Sequence, residues 1–142
     1  HMGESTFMFA ASQIFKSINC IDPFKGNEEA LAILRRSWKQ VKEEFKINTR
    51  YFDNIVLHED YSFEVVKQFK DKSLDFVYID GDHTYSSIKR DIILFQPKLK
   101  SRGIIAGHDY NLPCVEVKKA VDEIYGKPDL ITKDGSWVKF IS

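Results

Sequence analysis

Short apolar runs alternate along this chain with longer stretches whose apolar residues recur every three or four positions, and several of the short runs stop at an acid or a histidine. A run of that length suits a buried strand, whereas the three-and-four stripe suits a helix with one face in a core. Strand then helix, repeated, implies an α/β fold: a Rossmann-like, mostly parallel sheet with right-handed crossovers and helices on both faces. Such a sheet gathers its strand ends on one rim, and open α/β sheets bind ligands there.

The spacing predicts a first helix over Glu4–Lys16, opened by Gly3 and Ser5 and carrying Phe7, Ala11, Ile14 and Phe15. Ser17–Asp22 reads as a strand, and Asn27 caps a long helix striped by Leu31, Leu34, Trp38, Val41 and Phe45. Phe52–His58 is the next strand, and Ser62 caps a short helix with Val65, Val66 and Phe69 inward. Leu74–Ile79 is short and apolar enough for a strand buried on both faces. Tyr85, Ile88, Ile92, Phe95 and Leu99 step along a helix closed by Pro97 and Gly103, and Ile104–Ala106 comes next as a strand. Pro113 opens a helix to Tyr125 with Val117, Val121 and Ile124 inward. Leu130–Thr132 and Trp137–Ile141 flank Asp134-Gly135 as an antiparallel hairpin. With no repeat or linker, residues 1–142 are expected to form a single domain, His1 and Met2 being a cloning scar and start.

Charge narrows the ligand class. Lys plus Arg equals Asp plus Glu at 21 each, so net charge argues for no nucleic-acid partner and no acidic membrane surface. Small molecules fit better. The chain lacks a signal core and any apolar run of membrane-spanning length. Cys20 and Cys114 form neither a zinc pattern nor a redox pair, and they read as idle thiols in a reducing cytoplasm.

The strand ends carry the chemistry: Asp22, then Glu59 with Asp60, then Asp80 with Asp82 and His83, then His108 with Asp109. On one rim these carboxylates need a cation or hydrogen-bond donors to offset their charge. Asp22 suits the acid that accepts hydrogen bonds from both ribose hydroxyls of a nucleoside; its alternative is an Asp-Pro turn. Asp80 and Asp109 offer hard oxygen ligands for Mg²⁺, and His108 as a third ligand would favour Mn²⁺ or another transition ion. His83 titrates near neutral pH, so it is a candidate catalytic base for a substrate hydroxyl, or else a histidine bonded to local backbone at a helix start. His58, beside Glu59, has a weaker claim.

The segment FVYIDGDHTYSSIKRDIILFQPKLKSRGIIAGHDY closely resembles the centre of class I S-adenosylmethionine-dependent methyltransferases, in the small family related to macrocin O-methyltransferases and, more distantly, catechol O-methyltransferase. The YIDGDH and GHDY elements carry the likeness, which extends from Asp22 to the final hairpin. It implies O-methyl transfer to a small-molecule hydroxyl, with S-adenosyl-L-methionine as cofactor and Mg²⁺ or Mn²⁺ assisting. By that resemblance Gly3 belongs to the tail of a glycine-rich cofactor turn, Asp22 holds the ribose, and Asp60, Tyr61 and Ser62 border the adenine. Asp80 touches both cofactor and metal, His108 and Asp109 complete the metal positions, and His83 lies near the acceptor, so that Asp80 and His83 are the catalytic pair. Relatives often place two carboxylates, or a carboxylate and an amide, where His108 and Asp109 stand.

The resemblance also puts a strand and most of the glycine-rich turn ahead of Gly3, that strand lying between the ones ending at Asp22 and Asp80. Its absence would leave a gap closed by direct pairing or by a partner chain, hence the expectation of a homo-oligomer. Two alternatives stand beside this reading. Asp80-Gly81-Asp82 also matches the acid-x-acid pattern with which metal-dependent glycosyltransferases hold a nucleotide sugar, and a truncated methyltransferase-like chain can be inactive.

Overall fold

The computed structural model describes residues 3–26, 36–111 and 115–142. Its contacts divide the chain into two units, His1–Ser62 and Phe63–Ser142.

In the first unit, helix α1 (Glu4–Ala11) precedes strand β1 (Ile18–Ile21), helix α2 (Trp38–Thr49) and strand β2 (Ile55–His58). Helix α1 begins at Gly3, whose left-handed φ of +82° suits glycine, and a Cβ there would stand 2.8 Å from the Phe45 ring. The helix stops at Ala11, short of the expected Lys16, and Gln13 then takes a left-handed φ of 58°. Strands β1 and β2 pair in parallel from Ile18↔Ile55 to Ile21↔His58, burying Cys20, Ile55 and Leu57 against Phe24, Val41 and Phe45. Ser37 starts α2 with a capping box shared with Gln40, a device that contributes about 1 kcal/mol. The Asn27 cap and the Leu31 and Leu34 stripe lie outside the described residues, as do Pro113 and Cys114.

Helix α3 (Ser62–Val65) starts at the last residue of the first unit, and the second unit continues through a 3₁₀ turn to strand β3 (Leu74–Ile79), helix α4 (Tyr85–Phe95), strand β4 (Leu99–Gly107), helix α5 (Val115–Tyr125) and the hairpin β5 (Leu130–Ile131) and β6 (Trp137–Phe140). The sheet order is β3-β4-β6-β5, with β3 and β4 parallel and β6 antiparallel to both of its neighbours. Ile88 and Ile92 of α4 and Val117 and Val121 of α5 cover the face bearing Ile79, Ile105 and Trp137. That face is the core, and all seven side chains are nearly or fully buried.

Two expectations need correction. Leu99 and Gly103 belong to β4, not to a helix and its stop: the register jumps from Leu74↔Leu99 to Phe76↔Ile104, so residues 100–103 bulge out and Arg102 turns through a left-handed φ of 65°. The bulge hides the period-two pattern there. Strand β3 is also not buried on both faces, since Ile79 is its one buried residue and Asp75 is exposed. Among the described residues strand β1, like β3, has a single strand partner.

Candidate functional site

Strands β3 and β4 end side by side, and the turns leaving those two ends make the site. After Ile79 the chain turns through Asp80, Gly81, Asp82 and His83 into α4, whose N-cap is Thr84. The carboxylate of Asp82 accepts hydrogen bonds from the Thr84 backbone N–H at 3.2 Å, the Thr84 hydroxyl and, at 2.8 Å, the Ser87 hydroxyl. Partial burial works the other way, but those donors hold the Asp82 carboxyl below its usual value. Asp82 therefore fastens the turn to the helix, and its oxygens are committed there instead of to the metal expected by the acid-x-acid reading.

After Gly107 the backbone is pinned on both sides. The His108 N–H donates to the Ile79 carbonyl at 3.2 Å, and the Tyr110 N–H to the Gly135 carbonyl at 2.9 Å. Between these anchors Asp109 adopts a left-handed φ of 65°, which Asp tolerates better than most residues. The anchors leave Asp109 only 8% exposed.

Asp80, His83 and Asp109 come together. One ligand atom from each lies within 4.8 Å of the others, the one such set of three among the described residues. Nε2 of His83 is 3.0 Å from Oδ2 of Asp109 and 3.8 Å from Oδ1 of Asp80. That nitrogen is buried yet aligned for a hydrogen bond with neither carboxylate. Asp80 beside it, opposed by partial burial and aided by Asp109 and Asp82, raises the His83 pKa above its ordinary value. His108 stands outside the set, its Nδ1 being 2.8 Å from Oδ1 of Asp109. The two carboxylates offer hard oxygen ligands that fit a divalent cation, and the buried Nε2 of His83 lies beside them.

The first unit has its own paired strand ends. The Asp22 N–H donates to the His58 carbonyl at 3.1 Å, bringing the end of β1 beside that of β2. Burial raises the Asp22 pKa, while the Phe24 N–H, donating to Oδ1 at 2.7 Å, works against the shift. The carboxylate is thus half buried with one backbone donor, and no second donor reaches it among the described residues. His58 contacts Asn19 through Nε2 at 2.9 Å, and Glu59 pairs with Lys42. Oδ1 of Asp60 accepts the Tyr61 N–H at 2.8 Å, Tyr61 is exposed, and Ser62 begins α3.

From sequence, Trp137 and Gly135 belong to the expected hairpin and have no assigned part in holding the site. Gly135 anchors Tyr110, and Trp137 lies over Gly107 with its indole fully buried. The available signal was a tryptophan two residues past an Asp-Gly turn, in a hairpin whose second strand must pair with a neighbour ending in glycine.

Comparison with known proteins places the chain in context. The family model described as a methyltransferase domain matches residues 1–110. The protein y4gI of Sinorhizobium fredii is 26% identical over 113 residues, covering 77% of this chain but 12% of that protein, so the chain spans about an eighth of its curated relative. Among solved structures, the O-methyltransferase NovP superposes with a TM-score of 0.65 at 18% identity, over 99% of this chain and 68% of its own. CalS11, a TDP-rhamnose 3'-O-methyltransferase, superposes with a TM-score of 0.66 at 17% identity, with the same coverages of 99% and 68%. At such identities the likeness is one of fold.

Proposed function

The chain belongs to the methyltransferase domain family, and from that membership we propose that it transfers the methyl group of S-adenosyl-L-methionine to a hydroxyl of a small molecule, with a divalent cation assisting. The observation that carries this reading is the meeting of Asp80, His83 and Asp109 at the ends of adjacent parallel strands.

Each unit carries residues suited to a role of its own. In the first, Asp22 accepts the ribose hydroxyls of the cofactor, a role suited to a half-buried carboxylate with spare acceptor capacity. Gly3 lets the chain turn closely into α1, and Asp60, Tyr61 and Ser62 border the adenine. In the second, Asp80 and Asp109 would hold the cation, whose positive charge would orient the acceptor oxygen and lower its pKa. Nε2 of His83 takes the hydroxyl proton as the oxygen attacks the methyl carbon; the carbon–oxygen bond forms as the carbon–sulfur bond breaks, and S-adenosylhomocysteine leaves neutral. Asp109 and Asp80 flank the protonated imidazole and stabilise it.

Calorimetric titration tests the proposal. S-adenosylhomocysteine is expected to bind, a uridine diphosphate sugar is not, and Mn²⁺ or Mg²⁺ is expected to bind to wild type and not to the Asp80→Ala, Asp109→Ala double variant. Binding of the nucleotide sugar without S-adenosylhomocysteine would reverse the assignment in favour of glycosyl transfer.

A further inference from the structure

Asp109 is flanked by an imidazole at each carboxylate oxygen, and the two contacts differ in kind. His108 forms a hydrogen bond through Nδ1 to Oδ1 at 2.8 Å, whereas Nε2 of His83, 3.0 Å from Oδ2, is aligned with no acceptor. A carboxylate only accepts, so Nδ1 of His108 is the nitrogen that carries the hydrogen in the shared bond. Residues adjacent in an extended strand point their side chains to opposite faces and do not meet. Here they meet because Asp109 takes the left-handed φ of 65°, between backbone anchors on His108 and Tyr110.

We infer that His108 is a positioning residue for Asp109 and not a metal ligand: its Nδ1–H fixes Oδ1, which sets the carboxylate plane and leaves Oδ2 facing His83 and the Asp80 side. This rests on the cation reading above and goes beyond it, because it assigns the third polar residue of the strand end a role distinct from ligation. One observation and one general property of metal sites agree with it. His108 lies outside the one close cluster of His, Cys, Asp and Glu ligand atoms found among the described residues. A ligand carboxylate oriented by a neighbour's N–H is also a recurrent way of tuning metal sites, and removing such a partner lowers metal affinity by about 10- to 100-fold.

The amide nitrogen of Asn can stand where Nδ1 of His stands, while that of Gln reaches the position of Nε2, so the two variants separate the roles. Mn²⁺ and Mg²⁺ are titrated calorimetrically into the wild-type chain, His108→Asn, His108→Gln and His108→Ala, with melting curves recorded for each. The expected result is that His108→Asn stays within about threefold of wild type for both ions. His108→Gln and His108→Ala lose about 10- to 100-fold, by the same factor for Mn²⁺ and Mg²⁺. A loss confined to Mn²⁺, with His108→Gln the better substitute, identifies His108 as a ligand and overturns the inference, because an imidazole ligand favours the transition ion. Unchanged affinity in all three variants, or no ion binding by the wild-type chain, overturns it too. Should His108→Ala melt below the working temperature, the comparison of Asn with Gln still decides. S-adenosylhomocysteine titrated without metal reports separately on the methyl-transfer reading, which stands if that ligand binds and falls if it does not.

Discussion

The row Ile79–Gly107–Trp137 runs across β3, β4 and β6 on the face covered by α4 and α5, and the missing side chain in its middle makes room for the indole. A Cβ on Gly107 would stand 2.5 Å from the Ile79 carbonyl oxygen, 2.7 Å from Nε1 of Trp137 and 2.9 Å from its Cε2. Ordinary contacts begin near 3.4 Å, so both neighbours would have to retreat by more than half an ångström. Neither is a flexible tip. The Ile79 carbonyl accepts the His108 N–H, and Trp137 is fully buried. Overpacking of this kind costs about 1–3 kcal/mol. At roughly 4 °C per kcal/mol for a chain of this size, Gly107→Ala should lower the melting temperature by about 4–12 °C. The displacement falls one residue before His108 and two before Asp109, so Mn²⁺ affinity should fall with it. Gly81→Ala is the control: nothing among the described residues lies within 4 Å of its Cβ, and its stability should be unchanged or higher by up to about 1 kcal/mol. Thermal melts followed by circular dichroism measure both. If Gly107→Ala melts with wild type, the indole does not depend on the glycine and the account of how this strand end is held is wrong.

The charged groups give three further outcomes. The His83 pKa is raised in the fold, so its stabilising contribution without metal is complete below the ordinary histidine value of about 6.5 and is lost as pH rises through the higher folded value. The stability gap between wild type and His83→Gln, measured by urea unfolding, should therefore shrink between pH 5.5 and pH 9, and a widening gap contradicts the assigned partners. The Asp82 pKa is lowered, so its contribution is present above the ordinary carboxylate value of about 3.9 and is lost as pH falls through the lower folded value. Asp82→Asn should be destabilising at pH 7 and nearly silent in strong acid; equal stability at pH 7 would show that the Ser87 and Thr84 bonds do not matter. Burial raises the Asp22 pKa, so ionised Asp22 is a liability to the fold at neutral pH. Asp22→Asn should be at least as stable as wild type at pH 7, yet bind S-adenosylhomocysteine at least about tenfold more weakly if the carboxylate accepts ribose hydroxyls. Unimpaired binding removes Asp22 from the cofactor site.

The parts of the fold that were legible in the sequence are those governed by periodicity. Ile88 and Ile92 in α4 and Val117 and Val121 in α5 read as stripes and are buried as stripes. The hairpin around Asp134-Gly135 read from its turn and pairs as expected. The features that escaped are fixed by one backbone torsion or by a distant neighbour. The bulge at residues 100–103 turns on Arg102, a residue type with no preference for left-handed φ, and the end of α1 turns on Gln13 for the same reason. No pattern in the neighbouring residues announces either.

The site divides along the same line. That Asp80, His83, His108 and Asp109 share one strand-end region is dictated by strand polarity alone, since parallel neighbours must end together. Which imidazole joins the two carboxylates is not. In one dimension His108 adjoins Asp109 and looks like its natural co-ligand, while His83 lies 26 positions before Asp109. The left-handed torsion at Asp109 reverses that ranking: it folds the Asp109 side chain back onto His108, which spends its Nδ1 on that contact, and leaves the outer oxygen to His83. Asp82, which only the acid-x-acid alternative assigned to a metal, is committed elsewhere because a helix start two residues on supplies it with nearer donors. Composition can nominate the polar residues of a strand end, but local torsions and caps decide which of them cluster and which bond to their neighbours.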